Sequence, residues 1–99
     1  MAVGILMQSS EITTEMYDSV MEHLGWSQQD LPQGFVSHHA CATDDGVLIF
    51  DVWESQEDFE RFAQERLGAA VAAAADGQPP SIEPQFFPIH NQDHARTRV

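Results

Sequence analysis

The sequence predicts an α+β domain in which a four-stranded antiparallel sheet carries two helices on one face. Three observations predict it: segments rich in branched and aromatic residues, two segments with apolar residues at helical spacing, and an Asp-Gly turn signal between two of the predicted strands. The central stretch is residues 46–55, where an apolar strand ending at Trp53 runs directly into a helix start at Ser55. Serine is a favoured N-cap residue, so the second helix begins there.

The elements before this stretch follow from local patterns. Residues 2–8 are a short apolar run that predicts the first strand. In the next segment apolar residues recur at i, i+4 and i+8, which predicts a helix that ends at Gly25. Its apolar positions are Met16, Tyr17, Val20, Met21 and Leu24. Residues 26–34 form a loop, and Phe35 to Thr43 predict the second strand.

The elements after the turn signal complete the domain. Asp45-Gly46 suits a two-residue type I′ turn, so the second and third strands form a hairpin. The second helix extends to about Ala75, with an apolar face at Phe59, Phe62, Ala63, Arg66, Leu67 and Ala70. Ile82 to Asn91 predict a fourth strand, whose two prolines indicate an edge position or a bulge. Residues 1–91 form the single domain, and residues 92–99 form a polar tail.

The order strand, helix, strand, strand, helix, strand is the ferredoxin-like split βαβ pattern. The third strand is apolar at both parities between Leu48 and Val52, which indicates that both faces of the sheet are covered. The helices account for one face only, and no chain is left to cover the other. We therefore expect a homodimer in which two sheets pack face to face.

Charge excludes several classes of partner. The chain of 99 residues has 16 acidic residues, four arginines and no lysine, with a formal net charge of −12. Nucleic acids and anionic membranes need basic patches, so neither is an expected partner. The chain lacks an apolar run of about 18 residues and a basic segment before its first strand, so we expect no membrane span and no signal peptide. Together with the single cysteine, Cys41, this indicates a reducing, cytoplasmic location.

Several motifs resemble one superfamily. They are Pro32-Gln33-Gly34, His38, Asp44-Asp45-Gly46, residues 51–55, the helix positions Phe59, Phe62 and Leu67, and the ending Phe87-Pro88-Ile89-His90-Asn91. Over residues 3–91 they resemble the dimeric α/β-barrel superfamily, within it the antibiotic biosynthesis monooxygenase-like branch, chiefly small actinobacterial proteins. The most specific piece is Trp53-Glu54-Ser55 at a junction between strand and helix.

The resemblance implies a homodimer with a cavity between sheet and helices in each subunit. Some members oxidise phenolic polyketides to quinones without metal or flavin, so an aromatic or polyketide-like ligand and no cofactor are implied. In those members an Asn lies four residues before the strand-end Trp, and a Tyr lies six residues after it. Here Ile49 and Phe59 take those positions, and only Trp53 matches. This departure favours acid–base chemistry of the cyclase or isomerase type over oxygenation.

The hairpin register predicts a candidate site. With Asp45-Gly46 at the centre of the turn, His38 opposes Trp53 and lies diagonal to Asp51, on one face of the sheet. A carboxylate orients a neighbouring imidazole and favours its charged form, which is the arrangement that a general base needs. A loop slipped by one residue would bring His39 to that face instead.

We therefore predict His38 as general acid or base, Asp51 as the residue that orients it, and Trp53 as a stacking wall for a flat substrate. Further substrate-binding candidates are Ile49, Phe59, Arg66 and His90. The alternative is a non-catalytic dimeric ligand-binding or assembly module in which the same residues are structural. His38 and His39 point to opposite faces of a strand and cannot share an ion, so no metal site is predicted.

Overall fold

A mixed helix and sheet architecture is present in the computed structural model, which describes residues 2–75 and 82–93. Its elements are β1 Val3–Ser9, α1 Thr14–Leu24, β2 Phe35–Thr43, β3 Gly46–Trp53, α2 Gln56–Phe62, α3 Gly68–Ala74 and β4 Gln85–Pro88. The four antiparallel strands lie in the order β2-β3-β1-β4, so the ferredoxin-like prediction is confirmed. Most of the predicted tail, residues 94–99, and the segment 76–81 lie outside the described residues.

Both helix starts and the end of the first helix are capped by residues of favoured types, and those at Ser55 and Gly25 were predicted. The Thr13 side chain accepts a hydrogen bond from the Met16 amide at 3.1 Å, and Ser55 does the same for the Asp58 amide at 3.1 Å. Gly25 ends α1 in the left-handed conformation, with φ at 65°. A glycine adopts this conformation without strain, so the predicted stop at Gly25 is confirmed.

A π-helical turn at Ala63–Leu67 joins α2 to α3. The predicted continuous helix therefore has the expected length, but one of its turns is wider than an α-helical turn. The Gly68 amide donates to the Ala63 carbonyl, five residues back. A π turn inserts one residue into the helical repeat, which changes the face on which the following side chains lie.

The β2–β3 hairpin differs from the predicted register by one residue on each strand. Thr43 pairs with Gly46, so Asp44 and Asp45 form the loop, and His38 lies directly opposite Asp51. The predicted pairing of His38 with Trp53 is therefore wrong. A Cβ at Gly46 would collide with the Ser9 carbonyl oxygen at the end of β1. Glycine serves this close approach and not the centre of the turn, which explains the error.

A β-bulge near the start of β2 places an additional aromatic residue beside the helices. Phe35 pairs with Trp53 and Ser37 pairs with Val52, so Val36 is the extra residue on β2. Without the bulge Phe35 and Ser37 would lie on the same face. The bulge turns Phe35 toward the helices, where its ring meets Trp53 edge-on at a centroid distance of 5.6 Å.

The last strand is shorter than the sequence predicts. It pairs with β1 over Gln85 to Pro88 only, at the edge of the sheet, whereas the expected strand ran from residue 82 to 91. Pro84 comes just before the strand, and Pro88 is its last residue. Proline cannot donate to a ladder of hydrogen bonds, which explains both the short strand and its edge position.

The two faces of the sheet are defined by the strand pairing. The face toward the helices, called the inner face, holds the core, where Trp53 and Ile5 are fully buried. Val3, Met7, Phe59 and Phe62 complete this buried cluster. The outward positions of the strands form the outer face, namely Gly4, Leu6, Gln8, Ser37, His39, Cys41, Leu48, Phe50, Val52, Gln85 and Phe87.

Candidate functional site

A cavity of about 80 Å³ lies between the inner face and the helices. Its walls are mainly aliphatic, aromatic and methionine side chains from every layer of the fold. The lining residues are Met7, Ile12, Tyr17, Val20, Met21, Leu24, Trp26, His38, Ile49, Asp51, Trp53, Phe59, Phe62, Leu67, Val71 and Ile82. Among them only Tyr17, His38 and Asp51 carry an ionisable group. The cavity surface is therefore almost entirely apolar, and these three residues form the polar side of the wall behind it.

Asp51 is the centre of that polar side. It lies in the middle of the sheet and is only 5% exposed. One carboxylate oxygen, Oδ1, is 2.6 Å from His38 Nδ1, and the other, Oδ2, accepts a hydrogen bond from Trp53 Nε1 at 3.2 Å. Asp51 and Trp53 are two residues apart on one strand and therefore share a face. Both oxygens are satisfied, as a buried carboxylate requires.

The contacts of His38 define the tautomer of its neutral ring. An ionised carboxylate only accepts hydrogen bonds, so Nδ1 of His38 donates to Asp51. In the neutral ring Nε2 is then the acceptor for the hydroxyl group of Tyr17, at an oxygen-to-nitrogen distance of 2.5 Å. The rings of Tyr17 and His38 are parallel within 6°. Tyr17, His38, Asp51 and Trp53 thus form one continuous hydrogen-bonded chain, which we call the relay.

Tyr17 enters the relay from α1. Burial raises the pKa of its phenol above the ordinary value of 10.0, and the negative charges of Asp51 and Asp18 raise that pKa further. All three effects disfavour the tyrosinate. At neutral pH Tyr17 is therefore a phenol, as its hydrogen bond to Nε2 of His38 requires.

An aromatic cluster holds the other end of the relay in place. The Trp53 ring meets Phe59 edge-on at 5.7 Å and lies 5.3 Å from Phe62, and Phe35 closes its third side. The ring of Trp26, in the loop after α1, lies 6.0 Å from His38. Edge-to-face contacts of this kind fix ring orientation, so the indole N–H has a defined direction toward Asp51.

Five of the seven predicted site residues line the cavity: His38, Asp51, Trp53, Ile49 and Phe59. The parity of the hairpin explains why the wrong register still placed His38 on the correct face. A shift of one residue on each strand changes the partner and preserves the face. His39 lies on the outer face opposite Phe50 and is exposed, so the alternative with His39 in the cavity is wrong.

Arg66 and His90 lie outside the cavity. Arg66 is half-buried, and its guanidinium group donates to the Leu24 carbonyl at 3.1 Å. A cation there is favourable because it meets the negative end of the α1 dipole. His90 follows the short strand β4 and is exposed. Neither side chain is positioned to contact a ligand bound in the cavity.

Sequence reasoning missed Tyr17 and Trp26 as members of the site. Tyr17 was assigned to the apolar face of α1 without a role, and Trp26 was assigned to a loop. A signal for Tyr17 was available, because a tyrosine on a buried helix face needs a partner for its hydroxyl group. That signal does not identify the partner, which lies 21 residues later on β2.

Residues 2–75 and 82–93 lack the features of two other classes of function, metal binding by a side-chain cluster and membrane insertion through a helix. In that part of the chain no group of three or more His, Cys, Asp or Glu side chains is arranged to hold a metal ion. Among the helices described there, none has the length and apolar character needed to cross a membrane.

No protein-family model matches the sequence, and no curated protein matches it. Solved structures do match. SnoaB, a cofactor-independent oxygenase from Streptomyces nogalater, has a TM-score of 0.60 at 15% identity over 92% of this chain and 95% of that chain. A monooxygenase from the gene ActVA-Orf6 of Streptomyces coelicolor, in complex with nanaomycin D, has a TM-score of 0.58 at 19% identity over 96% of this chain and 92% of that chain.

A third match extends the comparison to a different bacterium. NE2512 of Nitrosomonas europaea, a protein of unknown function, has a TM-score of 0.54 at 14% identity over 95% of this chain and 94% of that chain. These structures establish that the chain shares the fold of the monooxygenase-like proteins that its motifs resemble. A fold of this kind is compatible with several chemistries, so function has to be argued from the cavity itself.

Proposed function

We propose that this protein binds a compact phenolic or enolic molecule in the apolar cavity and moves a proton to or from the hydroxyl group of that molecule. His38 is the acid or base of this reaction and Asp51 orients it. The proposal depends mainly on one observation: the 2.6 Å contact between His38 Nδ1 and Asp51 Oδ1 in the wall of an otherwise apolar cavity. A buried carboxylate costs free energy, which its contacts to His38 and Trp53 offset.

Acid–base chemistry fits the cavity better than the positioning of a phenol for oxygenation does. Ile49 and Phe59 line the cavity where the resemblance implies polar residues in quinone-forming proteins. The polar atoms come instead from His38 and Tyr17, which also line the cavity. Removal of a proton from a phenol or enol makes its ring carbon nucleophilic, which is the first step of an isomerisation or a ring closure. No cofactor is needed for that step.

The volume of the cavity favours a small ligand. It measures about 80 Å³, whereas an apolar cavity of about 150 Å³ holds benzene. A one-ring phenol therefore enters when a few wall side chains move. Met7 and Met21 lie in the wall, and methionine is unbranched and adaptable. A polycyclic polyketide would need a much larger displacement of the core.

A homodimer formed through the outer face is the second part of the proposal. The outward strand positions carry no Asp, Glu or Arg, although the chain has 16 acidic residues. Leu6, Leu48 and Phe50 are half-buried there, and Phe87 is 47% exposed. Two copies of a protein with a net charge of −12 repel each other except where both surfaces are neutral. This supports face-to-face packing of two sheets.

The test of the chemistry uses resorcinol, a one-ring phenol whose ring hydrogens exchange with deuterated water through its phenolate. Proton NMR measures the exchange rate with wild-type protein, with His38→Gln and with the matched control His39→Gln. We expect the wild type to accelerate the exchange and His38→Gln to lose about 100-fold or more of that acceleration, a typical contribution of a general base. His39→Gln should match the wild type because His39 lies on the outer face.

The non-catalytic ligand-binding or assembly module is the competing function, and one observation favours it. Every buried side-chain nitrogen and oxygen in the described residues has a hydrogen-bond partner, so the relay is complete without a ligand. This function predicts equal exchange rates for wild type, His38→Gln and His39→Gln. Native mass spectrometry of the same samples shows whether resorcinol binds at all. Binding without accelerated exchange would identify a binding module, and no binding would favour an assembly module.

A further inference from the structure

We propose that the hydroxyl group of Tyr17 is the contact between the relay and the ligand, and that a ligand proton reaches His38 through Tyr17. This inference rests on the proposed function and deepens it, because it assigns the residue that touches the reacting hydroxyl group. Tyr17 then becomes the catalytic residue in contact with the ligand. His38 stores the proton, and Asp51 stabilises the charge.

Both ring nitrogens of His38 already have hydrogen-bond partners. Nδ1 is engaged by Asp51 at 2.6 Å, and Nε2 is engaged by Tyr17 at 2.5 Å. An imidazole has no third position for a hydrogen bond in the plane of its ring. A ligand in the cavity therefore cannot reach a nitrogen of His38 unless Tyr17 moves away.

The Tyr17 oxygen retains the capacity that His38 lacks. A phenolic hydroxyl group donates one hydrogen bond and can also accept. Tyr17 uses its donor on His38, and Tyr17 itself lines the cavity. By its chemistry this oxygen retains an acceptor position while the bond to His38 is intact, and the proposal places the ligand hydroxyl group there.

The proton transfer balances without any further reactant. The O–H bond of the ligand breaks, and its proton binds to the oxygen of Tyr17. At the same time the O–H bond of Tyr17 breaks, and that proton binds to Nε2 of His38. The products are a ligand anion, a neutral Tyr17 and an imidazolium ion paired with the carboxylate of Asp51. The reverse transfers return the proton to the ligand.

The environment of Tyr17 explains why the two transfers are coupled. Burial raises the pKa of Tyr17, and so do the charges of Asp51 and Asp18, so a free tyrosinate is disfavoured. Tyr17 passes its own proton on only as it receives one from the ligand. The ligand class follows: phenols and enols are substrates, whereas ethers of the same shape can bind but cannot react.

The experiment compares 4-nitrophenol with 4-nitroanisole, which has the same shape and no ionisable proton. Absorption of the bound 4-nitrophenolate gives the ratio of ionised to neutral probe, and equilibrium dialysis gives the affinity of both compounds. The proteins are wild type, Tyr17→Phe and His38→Gln. Tyr17→Phe keeps the ring and removes only the oxygen, so its uptake of 4-nitroanisole should match that of the wild type and show an intact cavity.

We expect the ratio of ionised to neutral bound 4-nitrophenol to fall about tenfold in Tyr17→Phe, because one hydrogen bond to a charged group is lost. It should also fall in His38→Gln. Nitrogen NMR of labelled histidine should show His38 becoming an imidazolium ion in wild type with 4-nitrophenol, and unchanged with 4-nitroanisole. A purely structural role for Tyr17 would alter the affinity for both probes and leave the ratio unchanged.

The outcomes separate the two proposals. An equal ratio of ionised to neutral probe in wild type and Tyr17→Phe, with a lower ratio in His38→Gln, would overturn the role of Tyr17 and leave that of His38 intact. If wild-type protein takes up neither compound, the proposed function is overturned, and the role of Tyr17 with it. A ratio that falls in both variants, with unchanged uptake of 4-nitroanisole, supports both proposals.

Discussion

The two faces of the sheet differ in where they allow charge. The inner face buries a carboxylate, Asp51, and supplies both of its oxygens with hydrogen-bond donors. The outer face has no Asp, Glu or Arg at any outward strand position. Both faces are otherwise built from the same alternation of side chains along the same strands.

This difference shows that the two faces answer different requirements. A buried charge is tolerated only where donors surround it, and the inner face has them in His38 and Trp53. The outer face carries no carboxylate at its outward strand positions, and its half-buried apolar side chains suit a second copy of the chain. Asp51 is therefore an exception that depends on its partners, and the absence of charge outside is consistent with a contact surface.

Removal of Asp51 should have the largest effect on stability, because the inner face then loses the acceptor of two hydrogen bonds. In Asp51→Ala the buried N–H groups of His38 and Trp53 lose a charged acceptor. Each hydrogen bond to a charged group contributes about 1.5–3 kcal/mol, so we expect the free energy of unfolding to fall by about 3 kcal/mol or more. Urea unfolding at fixed protein concentration, followed by tryptophan fluorescence, measures it.

Glu54→Ala is the control for this substitution. Glu54 is also acidic and follows the end of β3, but its side chain is exposed. Its replacement should change the free energy of unfolding by less than about 0.5 kcal/mol. If Asp51→Ala were as stable as Glu54→Ala, the hydrogen bonds of Asp51 would contribute nothing to folding. That result would contradict the view that the inner face depends on them.

A carboxylate placed on the outer face should weaken the proposed dimer. Phe50 lies in the middle of that face, opposite Leu6 on β1 and His39 on β2. Phe50→Asp brings two negative charges together across the proposed dimer contact. Like charges at an interface cost several kcal/mol, so we expect dimerisation to weaken about 100-fold or more. Sedimentation equilibrium measures the dissociation constant.

Gln28→Asp is the matched variant, because it adds the same charge in an exposed loop away from the sheet. It should leave the dissociation constant of the dimer unchanged within about twofold, since screening by salt weakens distant surface charges. A wild-type protein that sediments as a monomer at micromolar concentration would contradict the dimer. In that case the neutral outer face would need a different partner.

The sequence predicted the fold through features that are local. Thr43 ends β2 as expected, and both Ser55 and Gly25 cap their helices. Short-range preferences specify these positions, and tertiary contacts only select among them. The π turn was not predicted, because no local pattern marks it. The early end of β4 was not predicted either, because Pro84 and Pro88 indicate an edge strand without fixing where its pairing stops.

Only the part of the site that lies on the β2–β3 hairpin was predicted from the sequence. His38, Asp51 and Trp53 share a face because strand parity dictates it, whatever the exact register. The register itself depends on the close approach of Gly46 to the end of β1, which no local pattern reveals. Tyr17 lies on a helix, and its partner lies across the core, so only the packed structure identifies the full relay. The hydrogen bond of Arg66 to the Leu24 carbonyl also joins two helices across the fold, and no local pattern reveals it.

The smallest predicted effect is a shift in the pH at which Tyr17 ionises. It tests whether the charge of Asp51 on the inner face acts on Tyr17. It is the only tyrosine in the chain, so the ultraviolet absorption of tyrosinate reports this residue alone. Burial and the charges of Asp51 and Asp18 raise its pKa above 10.0 in the folded protein. We therefore expect the absorption change in the native protein at a higher pH than in the urea-unfolded protein.

The free energy of unfolding should depend on pH over the same range, because it depends on the pKa of Tyr17 in the folded and unfolded states. Above the pKa of the unfolded state, near 10.0, the folded protein binds more protons at Tyr17 than the unfolded protein does. The stability from the buried phenol is therefore complete below that pH and is lost as the pH rises through the folded-state pKa. Tyr17→Phe should lack this additional decline in urea unfolding at alkaline pH. A native Tyr17 that titrates at or below its unfolded-state pKa would contradict this prediction. It would show that the charge of Asp51 does not raise the pKa of Tyr17, although both residues belong to the relay.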